Sequence, residues 1–215
     1  MDPLHNLKVE VCWANKQLLE AGLVTSTSGN VSGIDRASGK VIIKPSGIDY
    51  TKLQPDDLSV VDLATGSLIE GKKPSVDLSH HLFLYQKDST LGGIVHTHSN
   101  YATAFAAVNL PIPCCLTAMA DEFGAEIPCL PYVDNEGDHI AEAILKYRGR
   151  GPAVLLGNHG VFTFDKTATK ALKAAIMTED VAKTIYFAKQ LGQPQALPPH
   201  EIEKWWNRYH TTYGQ

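Results

Sequence analysis

The stretch Ile94-Val95-His96-Thr97-His98 constrains this chain more tightly than any other, because a β-type run behind Gly92-Gly93 ends in two histidines one residue apart. Side chains alternate faces along a strand, so residues two apart project the same way and His96 and His98 can share one ligand. The glycines ahead of them permit close backbone approach. Such a pair suits chelation of a divalent metal. Taken by itself, it is equally compatible with two histidines satisfied by neighbours or facing solvent. A strand over 93–98 also needs a sheet to belong to and layers to cover it.

The flanking sequence supplies both. Asp2-Pro3 is a helix-start signal, and Leu4, Leu7, Val11, Ala14 and Leu18 follow at three- and four-residue steps until Gly22. Short β-type runs at 41–44 and 58–63 are separated by the turn formers Pro45-Ser46-Gly47 and Gln54-Pro55-Asp56-Asp57, which suggests antiparallel pairing. The spacing predicts helices over 77–86, 101–108 and 136–147, a strand over 153–156, and a longest helix over 166–191 stopped by Gly192. A Pro-rich tail over 194–199 breaks regular structure before a short aromatic end with Trp205, Trp206, Tyr209 and Tyr213. With 215 residues, the chain fits one domain of a size that buries roughly 70% of its unfolded surface. The expectation is a single α/β domain over 1–215, with a mixed or mainly antiparallel sheet covered by helices.

Charge and patterning exclude several classes. A net charge of -4, with Lys and Arg scattered, argues against a nucleic-acid partner. The longest apolar runs, 41–43 and 153–156, are far short of the ~20 residues a membrane helix needs, and the N-terminus lacks a signal-peptide core. A cytoplasmic protein without membrane contact is expected. No G-x-G-x-x-G follows a strand, so no nucleotide cofactor is expected. Cys12, Cys114, Cys115 and Cys129 lack metal-knuckle spacing and are read as reduced, mostly buried thiols.

A second strand end, Leu155-Leu156-Gly157-Asn158-His159-Gly160, offers a third imidazole between glycines. Three protein ligands with an open position is the usual form of catalytic zinc. Asp77 in Pro74-Ser75-Val76-Asp77 is a candidate fourth ligand, or equally a first-turn acid on the helix dipole. The loops Ser28-Gly29-Asn30 and Pro45-Ser46-Gly47, beside Lys44, have the makeup of an anion site, though such clusters are commonly just turns.

Together these motifs resemble the class II aldolase and sugar-phosphate epimerase family, most closely its L-ribulose-5-phosphate 4-epimerases. The resemblance spans nearly the whole chain. It rests on Leu23-Val24-Thr25, Gly29-Asn30-Val31-Ser32, Ile43-Lys44-Pro45-Ser46-Gly47, Gly92-Gly93-Ile94-Val95-His96-Thr97-His98-Ser99, Ala120-Asp121, Ile127-Pro128-Cys129, His159-Gly160 and Tyr213-Gly214-Gln215. It implies a central antiparallel sheet sandwiched by helices, and an oligomer, usually a tetramer, with active sites between subunits. The family's metal ligands carry over to His96, His98 and His159, with Asp77 where the epimerases have an aspartate. Its phosphate-binding positions carry over to Asn30, Lys44, Ser46, Gly47 and Ser75. Thr117 matches another active-site position, and Asp121 and Tyr213 match the acid/base pair supplied by the adjacent subunit.

The family's aldolases, such as L-fuculose-1-phosphate aldolase, place a glutamate where Asp77 stands, so Asp77 with Asp121 favours the epimerase. Two departures stand out. Val76 replaces a phosphate-binding serine of the pattern, and Ile202 falls where a tail histidine belongs, with His200 and His210 out of register. The implied activity is zinc-dependent conversion of L-ribulose 5-phosphate to D-xylulose 5-phosphate by retro-aldol cleavage and re-addition, with manganese or cobalt as alternative metals. The competing expectations are a cleaving aldolase, a non-catalytic relative, and an iron oxygenase built on His96, His98 and Asp77 that would leave His159 unemployed.

Overall fold

Apolar residues on both parities of successive strands call for a sheet covered on both faces, and the protein folds that way. The structure, a computed structural model, describes residues 3–213. Helix α1 (Pro3–Glu20) leads into β1 (Asn30–Asp35), β2 (Lys40–Ile43), β3 (Ser59–Asp62) and β4 (Leu68–Glu70). Next come α2 (Leu78–Lys87), β5 (Gly93–Thr97), α3 (Asn100–Ala107), α4 (Thr117–Phe123) and a brief β6 (Cys129–Leu130). The chain continues through α5 (His139–Tyr147), β7 (Ala153–Leu156), β8 (Gly160–Asp165), α6 (Ala168–Leu191), α7 (Pro199–Arg208) and a π-type turn over Tyr209–Tyr213.

The strands form one sheet in the order β4-β3-β2-β1-β5-β8-β7-β6, antiparallel except where β6 meets β7. Alternation sorts the core. Ile42, Val60 and Val95 join α1 and the start of α6 on one face, while their neighbours Val41, Val61 and Ile94 join α2 and α5 on the other. A third cluster fills the space under α3, α4 and the later part of α6, against Ala153, Leu155 and Val161. The α/β fold with a mainly antiparallel, helix-covered sheet therefore stands. No helix among the described residues is long and apolar enough to cross a membrane. The four cysteines are free, Cys12 and Cys114 buried and the other two partly so.

The elements read from the sequence appear within a few residues of their expected limits, but β1, β4, β6, β8 and α4 were not anticipated. In β1 the positions facing α2 are Asn30, Ser32 and Ile34, so the apolar alternation is broken over the first two of the three. Opposite them, Gly33 lies where a Cβ would come within 2.9 Å of both Leu7 and Val11 on α1. The tail is also more regular than expected, because α7 packs on α4 with Ile202 and Trp205 against the third cluster.

The link from β5 to α3 is held from a distance. The amides of Tyr101 and Ala102, in the first turn of α3, donate to the two carboxylate oxygens of Glu179 on α6, each at 2.9 Å. This satisfies helix-end donors that have no intrahelical partner, just after His98. Glu179→Ala should lower stability by about 1–2 kcal/mol in urea unfolding, the range for losing a helix cap with charge-assisted bonds.

Candidate metal centre

Strand register assembles the centre. On β5, His96 lies opposite Asn30 of β1 and opposite Phe162 of β8, so the three form a cross-strand row on the face covered by α2. The His96 ring is buried and stacks on Phe162 at 4.5 Å between centroids. Its Nδ1 lies 2.9 Å from the Val161 carbonyl oxygen. A carbonyl only accepts, so Nδ1 carries the proton and the Nε2 lone pair is left for a ligand.

His98 follows directly beyond β5, and His159 sits in the turn joining β7 to β8. The ring centroids are 4.7 Å apart for His96–His98, 5.0 Å for His96–His159 and 5.3 Å for His98–His159. One nitrogen from each ring lies within 4.8 Å of the others, a small side-chain adjustment from the roughly 3.4 Å spacing around tetrahedral zinc. Gly160 is essential to this approach. A Cβ there would lie 2.5 Å from the Thr97 carbonyl oxygen and 2.6 Å from the His98 ring.

Burial above all pushes the His96 pKa down, to about 4, with His98 and His159 adding to the effect and Asp77 opposing it. Burial likewise lowers His98 and His159. All three imidazoles are therefore neutral near pH 7, the form that binds metal. Their convergence, their neutrality and the tautomer of His96 fit a divalent cation.

Among the described residues, the group whose ligand atoms lie close enough to share one ion comprises the three histidines without Asp77. Asp77 occupies the N-cap position of α2, yet its side chain makes no capping hydrogen bond. Instead Oδ2 accepts from Asn30 Nδ2 at 2.7 Å and from the Ser75 hydroxyl at 3.3 Å. Burial raises its pKa most strongly, but His96, His81 and the Asn30 hydrogen bond together outweigh this and leave it lowered. It is a buried carboxylate facing the imidazoles.

A cavity of about 330 Å³ joins these groups to the predicted anion loops, for its lining includes Asn30, Lys44, Ser46, Gly47, Ser75 and Asp77 with the three histidines. Gly47 has φ +69° and open space around it, so its backbone is accessible. The Lys44 ammonium is buried, donating to the Thr27 and Pro45 carbonyls at 3.1 and 3.4 Å and lying 4.6 Å from the Tyr50 ring centre. The Tyr50 hydroxyl in turn meets the carbonyls of Ser28 and Gly29 at 2.7 and 2.8 Å. Val76 lines the cavity with 76% of its surface exposed.

Thr117 and Asp121 are not brought to this cavity. Both lie on α4, Thr117 exposed and Asp121 half-buried. Burial raises the Asp121 carboxyl above its ordinary value, with Arg208 and His210 opposing. Lys173 ties this helix to the C-terminal segment, donating to the Glu122 carboxylate at 2.7 Å and to the Tyr209 hydroxyl. The Tyr213 side chain lies outside the described residues.

Sequence reading missed a buried polar group behind the centre. Ser32 Oγ bridges His81 Nδ1 at 2.7 Å and Tyr85 OH at 2.8 Å. His80 Nε2 meets Asn135 Oδ1 at 2.6 Å. The available signal was the helical step from Asp77 to His80 and His81, which turns all three toward the sheet.

Residues 9–186 match the family described as Class II Aldolase and Adducin N-terminal domain. The chain belongs to the class II aldolase family. A solved L-fuculose 1-phosphate aldolase shares 30% identity with this family member over 95% of this chain and 96% of its own, with a TM-score of 0.85. YgbL from Klebsiella pneumoniae, described at the level of aldolase/epimerase/decarboxylase, shares 27% over 95% and 100%, with a TM-score of 0.84. YgbL from Escherichia coli shares 25% over the same fractions, with a TM-score of 0.83.

Two outcomes are expected for this class II aldolase family member. His96→Ala should weaken zinc binding by more than the about 10–100-fold typical of losing an outer partner, measured by chelator competition. The second concerns acid. Burial first, then His96 and His80, hold the His81 pKa at about 3 against an ordinary 6.5, with Asp77 opposing. Below pH 6.5 the unfolded chain therefore binds a proton that the native ring refuses. Stability of the metal-free protein should fall as pH drops from 6.5 toward 3, and His81→Asn should make thermal-melt stability less steep in pH by one proton's worth.

Proposed function

We propose that this protein is a divalent-metal-dependent enzyme that converts L-ribulose 5-phosphate to D-xylulose 5-phosphate by opening and re-forming the C3–C4 bond. The observation that carries this is one cavity lined by three convergent neutral imidazoles, a carboxylate and two donor-rich loops. A zinc, manganese or cobalt ion on His96, His98 and His159 would supply Lewis acidity toward the sugar's carbonyl. Asp77 lines the same cavity as a buried carboxylate, held by Asn30 and Ser75, and a small side-chain movement would bring it to the ion as a further ligand. Ser46, Ser75 and the Gly47 backbone hold the phosphate, Lys44 contributes positive charge from beneath, and Asn30 links that cradle to Asp77.

Inversion at C4 needs proton exchange with the C4 oxygen on opposite sides, the work assigned to Asp121 and Tyr213. We assign this pair, with Thr117, to a neighbouring copy in a homotetramer. The assignment is supported by the position of α4, which holds a half-buried Asp121 with a raised pKa away from the histidine cavity of its own chain. Cleavage without re-addition, an aldolase outcome, is the second reading, favoured by the likeness to a solved L-fuculose 1-phosphate aldolase.

Incubation of the zinc-loaded protein with L-ribulose 5-phosphate, followed by NMR, should yield D-xylulose 5-phosphate without accumulating glycolaldehyde phosphate. Cleavage of L-fuculose 1-phosphate with no pentulose turnover would establish the aldolase outcome, and inertness toward both would refute the two together. Subunit sharing has its own measurement. Inactive His96→Asn and Asp121→Asn chains, mixed in equal amounts and allowed to exchange, should recover about a quarter of wild-type activity, the statistical share of sites with both halves intact.

A further inference from the structure

His80 is a buried side chain with no part in the mechanism above. It sits in the first turn of α2, 1% exposed, three residues after Asp77. Its Nε2 lies 2.6 Å from Asn135 Oδ1. A carboxamide oxygen accepts and cannot donate, so Nε2 carries the proton and Asn135 is left with its NH2 group to offer. Asn135 is exposed in the loop before α5 and lines the same cavity as the three histidines.

That loop is seated rather than loose. Ser79, the residue before His80, donates to the Gly137 carbonyl at 3.3 Å, while Asp134 accepts from the Glu136 amide at 3.0 Å and pairs with His139 at 2.7 Å. The other ring nitrogen of His80, Nδ1, is buried without a partner in the described structure. A fully desolvated ring with one nitrogen unsatisfied and the other on Asn135 is a fixed anchor for that carboxamide. The anchor stands at the end of α2 that carries Asp77, and Asn135 lines the cavity together with the three imidazoles.

Resting on the sugar-phosphate reading above, we propose that Asn135, oriented by His80, is a specificity-determining donor that recognises a hydroxyl oxygen at the end of the substrate remote from its phosphate. For a 5-phosphorylated pentulose this is the C1 hydroxyl. His80 is a positioning residue that acts on the substrate through Asn135. The pair selects hydroxylated over deoxy sugars because an amide N–H facing a methyl group loses its hydrogen bond.

The test compares L-ribulose 5-phosphate with its 1-deoxy analogue on the zinc-loaded protein, by calorimetric binding and by kcat/KM. Wild type should prefer the hydroxylated sugar by about ten-fold or more, the effect of one well-made hydrogen bond. Asn135→Leu should bring that ratio close to one, mainly through KM, with zinc content unchanged. His80→Phe should do the same, and His80→Gln, whose amide can still donate to Asn135, should restore part of the preference. Because Asn135 is exposed, its variant keeps the test intact even if the His80 variants fold poorly. An unchanged ratio in Asn135→Leu, or an equal loss for both sugars together with weaker binding of inorganic phosphate, would overturn the inference while leaving the activity standing. Failure of wild type to bind or turn over either sugar would instead count against the sugar-phosphate reading itself.

Discussion

Antiparallel pairing of β5 between β1 and β8 is the constraint on which the centre depends. It fixes His96 beside Asn30 on one side and Phe162 on the other. It also brings His98, just beyond the end of β5, against the start of β8, just after His159. None of these contacts is local in sequence. Each follows from a register that a one-residue slip would reverse, turning His96 away from α2 and into the layer occupied by α1 and α6.

Such a row is costly to bury, and α2 offsets much of the cost. Asp77, His80 and His81 descend from its first turns onto the polar strand positions, while Leu82, Leu84 and Tyr85 enter the apolar cluster further along. The helix thus closes the core at one end and equips the cavity at the other. Hydrogen bonds from Asn30 to Asp77, and among Ser32, His81 and Tyr85, satisfy groups that water cannot reach.

Much of this was legible in the sequence, for different reasons. The histidine pair was visible because side chains two apart on a strand project to the same face, and the long α6 was visible from its small-residue face. His159 was identified by its flanking glycines, and the structure explains them through the close approach at Gly160. What escaped had no periodic signature. β1 reads as polar because two of its inward positions serve the centre and not the core. The pairing of His80 with Asn135 joins residues 55 apart in sequence, which no local pattern reveals. The anion loops were recognised by composition, whereas the inward turn of Lys44, held by two carbonyls and an aromatic face, is a tertiary outcome.

The crowding at Gly160 has a consequence for how such a centre can fail. The backbone touches the His98 ring and the Thr97 carbonyl so closely that the smallest added side chain, a single methyl group, must displace one or the other. A variant could thus keep all three imidazoles and still lose their convergence. In a collection of inactive sequences, the damage at this centre would be recorded at a position that bears no functional group, and counting intact histidines would miss it.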